Sequence, residues 1–370
     1  MIGREGDYGY YGFMKKTSVL VAMSGGVDSS VAAGLLQRQG YEVTGVFMCL
    51  GQASRENSHH PGCCSPQDAR DAKEVAARLG IRFHVLDFQD ELENIIEYFI
   101  DEYRRGRTPN PCIECNSCLK FGKLIDYASV GGIDYVATGH YARIRPTEQN
   151  NYLCRGVDTD KDQSYALFGM ARNNLKRVFL PVGEYSKKQV RELAAEMDLP
   201  VHAKQESQEI CFVPDDDYAR LVLQRAPELA QTGPILDSKG KILGQHEGVF
   251  RYTIGQRRGL GVALGEPAYV IHLDAVNNTV VLGSREELQG RKLIANKLNW
   301  LVDPVPVDPF AATVQIRYNH RGAPAVVYPR GSEVLVEFDQ PVSAITPGQA
   351  AVFYDDDIVL GGGWIESGEY

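Results

Sequence analysis

Along the first half of the chain, short apolar runs rich in β-branched residues alternate with stretches whose apolar residues recur at helical spacing. Residues 17–22 ("TSVLVA") predict a buried parallel strand, 29–39 a helix with Val31, Leu35 and Leu36 on one face, and 42–48 the next strand. Gly40 ends that helix. Residues 67–79, 90–103 and 117–128 read as further helices, and 82–86 and 135–138 as strands. This rhythm predicts an α/β domain with a doubly wound parallel sheet. After about Asp216 it stops. "AYVIHL", "TVVLG", "ATVQIRY", "EVLVEF" and "AAVFY" are strand-like runs separated by Gly, Pro and Asp turns, an all-β pattern.

The turn after the first strand carries the clearest chemistry. Gly25 and Gly26 let the backbone aim N–H groups at an anion, Ser24, Ser29 and Ser30 add hydroxyl donors, and the following helix contributes its N-terminal partial charge. The stretch lacks the Lys-Ser/Thr pair of a Walker A loop and the spacing of GxGxxG. Asp28 beside a phosphate cradle suits a Mg2+ ion between carboxylate and phosphate. A lone "SGG" is a capped glycine turn; "SGGVDSS" directly after a strand is more specific. It resembles the loop of the PP-loop ATP pyrophosphatases, which adenylate a carbonyl oxygen and release pyrophosphate. "TGHY" places Gly139 and His140 on the same rim, at another strand's carboxyl end.

Composition narrows the setting. The 370 residues suffice for two or three domains, and no apolar run is long enough to span a bilayer. The start "MIGREGDYGYYGFMKK" has no stretch of signal-peptide length and reads as a frayed extension, with Met14 an alternative start. A cytoplasmic protein with no membrane partner is expected. In a reducing compartment, closely spaced cysteines point to metal or redox chemistry. The eight are Cys49, Cys63, Cys64, Cys112, Cys115, Cys118, Cys154 and Cys211. A net charge of −9 argues mildly against a nucleic-acid partner, but only as an average. "TPNPCIECNSC", residues 108–118, has two prolines and a preceding "RRGR" and reads as an exposed basic loop. Zinc, an iron–sulfur cluster, a disulfide and a nucleophile all fit its three cysteines.

Taken together, "AMSGGVDSS", "GRTPNP" with its following "CN", "ATGHYAR", "KDQSY", "ESQEICF", "YTIGQRRGLG" and "TPGQAAVFY" are similar to the tRNA-specific 2-thiouridylases. Those enzymes exchange the C2 oxygen of the wobble uridine for sulfur. The match runs in order from about Thr17 nearly to the C-terminus. The resemblance implies an ATP pyrophosphatase domain (1–216), a small central tRNA-binding domain (217–283) and a C-terminal β-barrel (284–370). It implies ATP with Mg2+, the tRNAs for Lys, Glu and Gln as substrates, and a cysteine desulfurase or sulfur-relay protein as donor. By that resemblance Ala22, Met23, Ser24, Gly25, Gly26, Val27, Asp28 and Ser29 would hold the ATP phosphates, with Met48 at the adenine and Gly139 at the nucleotide. Asn110, Pro111 and Cys112 would meet the target base. His140, Lys161, Asp162, Gln163, Arg317, Tyr318 and Gln349 match tRNA-contacting positions. Arg104, Arg105, Arg107, Lys120 and Lys123 flank the target loop, with Arg257 and Arg258 farther on. Cys115 and Cys211 match the two essential cysteines. From the residues alone, "DTDKDQSYAL" reads as a helix start capped by Asp160 or Asp162, and Cys211 as a small buried hydrophobe.

One form of that family reads "NPDxxCN", with aspartate where this chain has Cys112. In that form Cys211 would carry a persulfide and Cys115 would resolve it through a transient disulfide. The extra thiol opens an alternative: Cys112, Cys115 and Cys211 as ligands of a [4Fe–4S] cluster whose fourth iron stays open. Cys118 would offer a local third ligand and ranks below Cys211. Zinc would need a fourth ligand from Cys63, Cys64 or His60. Two other functions compete. An amide-forming ligase of the argininosuccinate-synthetase type would need no cysteines, and an RNA-binding module with a zinc loop would not need Asp28 in an intact ATP loop.

Overall fold

The computed structural model describes residues 16–50, 66–205, 210–213, 217–262 and 265–369. β1 (Ser18–Ala22) places Val19, Leu20 and Val21 wholly out of solvent, as a central parallel strand covered on both faces requires. α1 (Val27–Arg38), β2 (Glu42–Cys49), α2 (Pro66–Leu79), β3 (Arg82–Asp87) and α3 (Gln89–Arg104) continue the predicted alternation. α4 (Pro111–Glu114) runs through a π-helical stretch, Cys115–Lys123, into α5 (Leu124–Val130), which leads to β4 (Tyr135–Ala137). A hairpin, β5 (Ala142–Pro146) and β6 (Asn151–Arg155), precedes β7 (Val178–Phe179) and α6 (Lys187–Glu196).

β1 to β4 and β7 form one parallel sheet in the order β3-β2-β1-β4-β7. The winding reverses between β1 and β4, which opens a crevice at their carboxyl ends. Val31, Val75 and Val190 pack on one face of the sheet and Phe99, Leu119 and Phe121 on the other.

α7 (Tyr218–Arg225) follows Asp216, one more helix than the all-β pattern predicted there. β8 (Gly233–Asp237), β9 (Ile242–His246), β10 (Tyr269–Asp274) and β11 (Thr279–Gly283) form a small sheet over Ile235, Val270 and Val280. β12 (Gln289–Trp300), β13 (Phe310–Gln315), β14 (Ala323–Arg330), β15 (Glu333–Ser343), β16 (Ala350–Asp355) and β17 (Ile358–Glu369) follow in the order β12-β15-β14-β13-β16-β17. Pairing of β12 with β17 closes them into a six-stranded barrel. Val334, Val336 and Phe338 alternate inward along β15 to fill it.

The sequence rhythm hides one connection. The β5–β6 hairpin lies within the α/β segment but joins the barrel, β6 pairing with β17 at Cys154 and Ile358. Asp357 holds Arg143 (2.7 Å) and Arg145 (2.8 Å) across that seam. No helix among the described residues is long and apolar enough to cross a membrane.

Candidate active site

Met23 extends β1 by donating its N–H to Val46 O at 2.8 Å, so the turn that follows stands at the carboxyl edge of the sheet. Ser24 N–H donates to Ser29 Oγ (3.1 Å), and the Ser29 and Ser30 hydroxyls donate to Gly26 O at 3.2 and 2.7 Å. Ser30, expected as a phosphate donor, is fully buried and braces the turn instead; Ser24 presents the exposed hydroxyl. Gly26 N-caps α1 with no side-chain cap, which leaves first-turn N–H groups for an anion. Gly25 has φ +75°, and a Cβ there would lie 2.3 Å from Asp68 O, while a Cβ at Gly139 would lie 2.5 Å from Ser29 N. The start of α2 and the turn after β4 therefore close on the loop as bare backbone. Met48 sits half-buried at the end of β2, beside Leu86 on β3.

Asp28 is the carboxylate of this loop. Lys187 Nζ donates to its two oxygens at 2.8 and 2.9 Å, and Tyr141 OH donates to Oδ1 at 2.7 Å. Lys187 starts α6, whose Ser186/Gln189 capping box fixes the turn, and its own N–H donates to Asp158 Oδ2 at 2.8 Å. Behind the loop, Lys204 Nζ donates to Gly25 O (3.0 Å) and pairs with Asp68 and Asp71 of α2. Sequence reasoning missed Lys187 and Lys204. In "SKKQVRE" nothing separates Lys187 from Lys188, which is exposed and pairs with Glu192. Tyr141, within "TGHYAR", was legible as a motif member.

The segment expected as an exposed loop turns helical at Pro111. Asn110 Oδ1 accepts from Ile113 N–H at 3.4 Å and Pro111 fills the first turn, so the prolines and asparagine mark a helix start. Ile113, Asn116 and Leu119 bury one face; Cys112 and Cys118 are exposed and Cys115 is half-buried. The cysteines lie along the passage from α-helix to π-helix, a distortion frequent at functional sites. The barrel grips the approach to this helix. Thr108 N–H donates to Pro347 O at 2.9 Å, and Gln349 Nε2 donates to Thr108 O and Pro109 O at 3.0 and 3.1 Å.

Cys115 and Cys211 come from distant segments and pack against the same core cluster, with Phe212 set edge-on to Phe99 at 5.3 Å. Cys118 points its thiol at Glu114 Oε2 (3.5 Å); burial and that carboxylate push it up to about 11, which keeps it a thiol rather than a thiolate. Among the described residues, no group of three or more His, Cys, Asp or Glu is gathered so as to hold a metal ion. Cys112, Cys115 and Cys211, expected as the [4Fe–4S] ligands, are not in such a group. Cys63, Cys64 and His60 lie outside the described residues.

The residues matched to tRNA contacts divide into two groups. Arg317 and Gln349 line a cleft of about 620 Å3 with Arg257, Arg285 and Thr108, between the central sheet, the barrel and the approach to the cysteine helix. Tyr318 stands exposed beside Arg317. Asp162 and Gln163 lie at the seam to the barrel. Asp162 accepts from Gly156 N–H, Ser164 N–H and Arg155, whose guanidinium stacks 3.6 Å over the Tyr354 ring, and Gln163 Oε1 accepts from Tyr141 N–H. Lys161 is half-buried beside them. His140 shares a 2.8 Å hydrogen bond with Thr138 Oγ1, and burial, aided by Lys120, holds its ring well below the usual range and neutral. The expected basic flank is largely paired: Arg104 with Asp101 and Glu228, Arg105 and Arg107 with Glu102, and Lys123 with Glu91, while Lys120 donates to Asn116.

An ATP loop at the switch point of a parallel sheet, followed by a small β domain and a closed barrel, defines a multidomain PP-loop enzyme. The comparisons agree. Family models described as "tRNA methyl transferase HUP domain", "tRNA methyl transferase PRC-barrel domain" and "Aminomethyltransferase beta-barrel domain" match residues 17–215, 222–284 and 290–365. The tRNA-specific 2-thiouridylase MnmA of Carboxydothermus hydrogenoformans is 51% identical over 358 residues, 95% of this chain and 98% of that one. MnmA 2 of Clostridium botulinum is 46% identical over 354 residues, 95% and 99% of the two chains. This chain belongs to the tRNA-specific 2-thiouridylase family, a family of sulfurtransferases. A solved 4-thiouridine synthetase–RNA complex with bound ATP aligns with a TM-score of 0.34 at 18% identity, covering 57% of this chain and 51% of that one. That likeness is too distant to carry an argument.

Proposed function

We propose that the chain thiolates C2 of the wobble uridine in the tRNAs for Lys, Glu and Gln, using ATP and releasing AMP and pyrophosphate. The observation that carries this reading is that Cys115 and Cys211, from distant segments, both pack against the core cluster that contains Leu20 of the strand leading to the ATP loop. An amide ligase has no use for that pair.

A uracil carbonyl oxygen is a poor leaving group. In the proposed first step O2 attacks the α-phosphorus, the bond to the bridging oxygen breaks, and pyrophosphate leaves with the electron pair. First-turn N–H groups of α1 and the Ser24 hydroxyl face the phosphates. Asp28 is the residue that would hold Mg2+, whose chemistry is to neutralise charge on the pyrophosphate. In the second step the terminal sulfur of a Cys211 persulfide attacks C2 and AMP departs. The Cys115 thiolate then attacks Cys211 Sγ, and the persulfide S–S electron pair stays with the sulfur on C2. A Cys115–Cys211 disulfide results, and a thiol reductant must return two electrons before the next turn. This route uses thiols alone and leaves Cys112 a bystander.

The arginine-lined cleft gives the anticodon arm its phosphate contacts in this reading, and exposed Tyr318 offers a ring for an unstacked base. A base in a single-stranded loop flips out at little expense. The test supplies persulfide, ATP and tRNA to anaerobically purified protein, assays iron, and measures AMP release and uridine mass. Cys115→Ser and Cys211→Ser should each abolish thiolation, and Cys118→Ser should keep it. Thiolation that persists in Cys211→Ser, or that tracks bound iron lost in Cys112→Ala, refutes the thiol route.

A further inference from the structure

Among the described residues, Lys187 is the cation that meets the carboxylate of the ATP loop. Its Nζ lies within 2.9 Å of both Asp28 oxygens and 5.6 Å from the centre of the Tyr141 ring, with 12% of the side chain exposed. Two anchors hold its backbone: the capping box of Ser186 and Gln189, and the bond from its own N–H to Asp158. Its stem is flexible and ends in a compact point charge with three donors. Lys204, the other buried-side cation at the loop, is fixed behind it on Gly25 O, Asp68 and Asp71.

We propose that Lys187 is a catalytic residue that exchanges Asp28 for the nucleotide's phosphates. Without nucleotide, Asp28 and Tyr141 park the ammonium at the mouth of the loop and neutralise the carboxylate. When a polyphosphate enters, Asp28 turns to the accompanying cation and Lys187 swings onto a phosphate oxygen, where charge accumulates as pyrophosphate leaves. The bond that forms is O2 to the α-phosphorus and the bond that breaks is the α–β bridge, so Lys187 moves no proton and bears charge only. An ion pair serving only to brace α6 against α1 would predict none of this.

The inference rests on the ATP reading above, and calorimetric binding of ATP and tripolyphosphate to the full chain, with and without Mg2+, separates the two. Without Mg2+, Lys187→Met should weaken tripolyphosphate binding about tenfold or more, the loss of a charge-assisted contact. Asp28→Asn should tighten it, since the ammonium is released, and Asp28→Asn/Lys187→Met should lose that gain. With tRNA and Mg2+, Lys187→Met should release AMP about a hundredfold more slowly, with Lys187→Arg restoring part of the rate. If Lys187→Met binds tripolyphosphate as the wild type does and only melts lower, or if the double variant keeps the Asp28→Asn gain, Lys187 is a strut and the proposal falls. A wild-type chain that binds neither ATP nor tripolyphosphate overturns the ATP reading itself.

Discussion

Arg107 sits where the α/β domain hands its target segment to the barrel, and its removal tests that junction. The side chain is 14% exposed; its Nε lies 2.8 Å from Glu102 Oε2, an ion-pair contact whose N–H is not aimed as a hydrogen bond. Its other nitrogens reach Glu366 Oε2 at 2.6 Å and donate to Ile365 O at 3.0 Å. Arg107→Met keeps the apolar stem and removes the charge. Glu102, with 7% of its side chain exposed, would then retain, among the described residues, Arg105 at 3.7 Å, itself 61% exposed. Breaking a buried pair from one side costs about 3–5 kcal/mol, whereas an exposed pair such as the remaining one returns less than about 1 kcal/mol. A loss of about 3 kcal/mol follows, or a melting temperature lower by roughly 4 °C for a chain of 370 residues. Glu102→Gln/Arg107→Met should regain more than half of it, because no charge is left buried. Scanning calorimetry of the four proteins of this double-mutant cycle, together with tRNA thiolation rates, reads both the junction and its use. A loss under about 0.5 kcal/mol, or no recovery in the double variant, would refute the reasoning.

Three further outcomes are expected. Gly139→Ala should abolish tRNA-dependent AMP release, because its Cβ would meet Ser29 N at 2.5 Å and push the first turn of α1 away from the turn after β4; nucleotide binding checks this. Cys118, pushed up to about 11 from 9.0, should alkylate near neutral pH roughly tenfold more slowly than an ordinary thiol, the smaller thiolate fraction being partly offset by its greater nucleophilicity, as peptide mass spectrometry would show. Burial and Arg317 lower His320 to about 4 from 6.5, so below 6.5 the unfolded chain takes up protons that the native chain refuses. Stability present in full above that pH should fall as pH drops towards 4, and His320→Gln should flatten the slope in urea titrations.

Much of the α/β domain was legible because its signals are local. A β-branched run of strand length, a glycine turn and a helical repeat each depend on neighbours in sequence, and "SGGVDSS" sits at the end of β1 as its pattern implied. The same locality misread the cysteine segment. Two prolines and an asparagine look like a loop, yet Asn110 and Pro111 begin a helix once Ile113, Asn116 and Leu119 have a core to enter. The seam was legible only as a motif. Within "KDQSY", Asp162 and Gln163 hold the backbone and Arg155, and Ser164 shares a 3.2 Å hydrogen bond with Tyr354, partners that the motif does not name.

By itself, the sequence determined the alternation of strands and helices from β1 to α3 and the glycine turn after β1, because short-range periodicity and motif spacing encode them. Tertiary structure alone decided that β6 pairs with β17, that Gln349 steadies Thr108 and Pro109, and that Lys187 meets Asp28. Each of those contacts joins residues far apart in the chain. Which lysine or glutamine finds a distant partner depends on how the sheet, helices and barrel pack, and side-chain identity at one position does not record that.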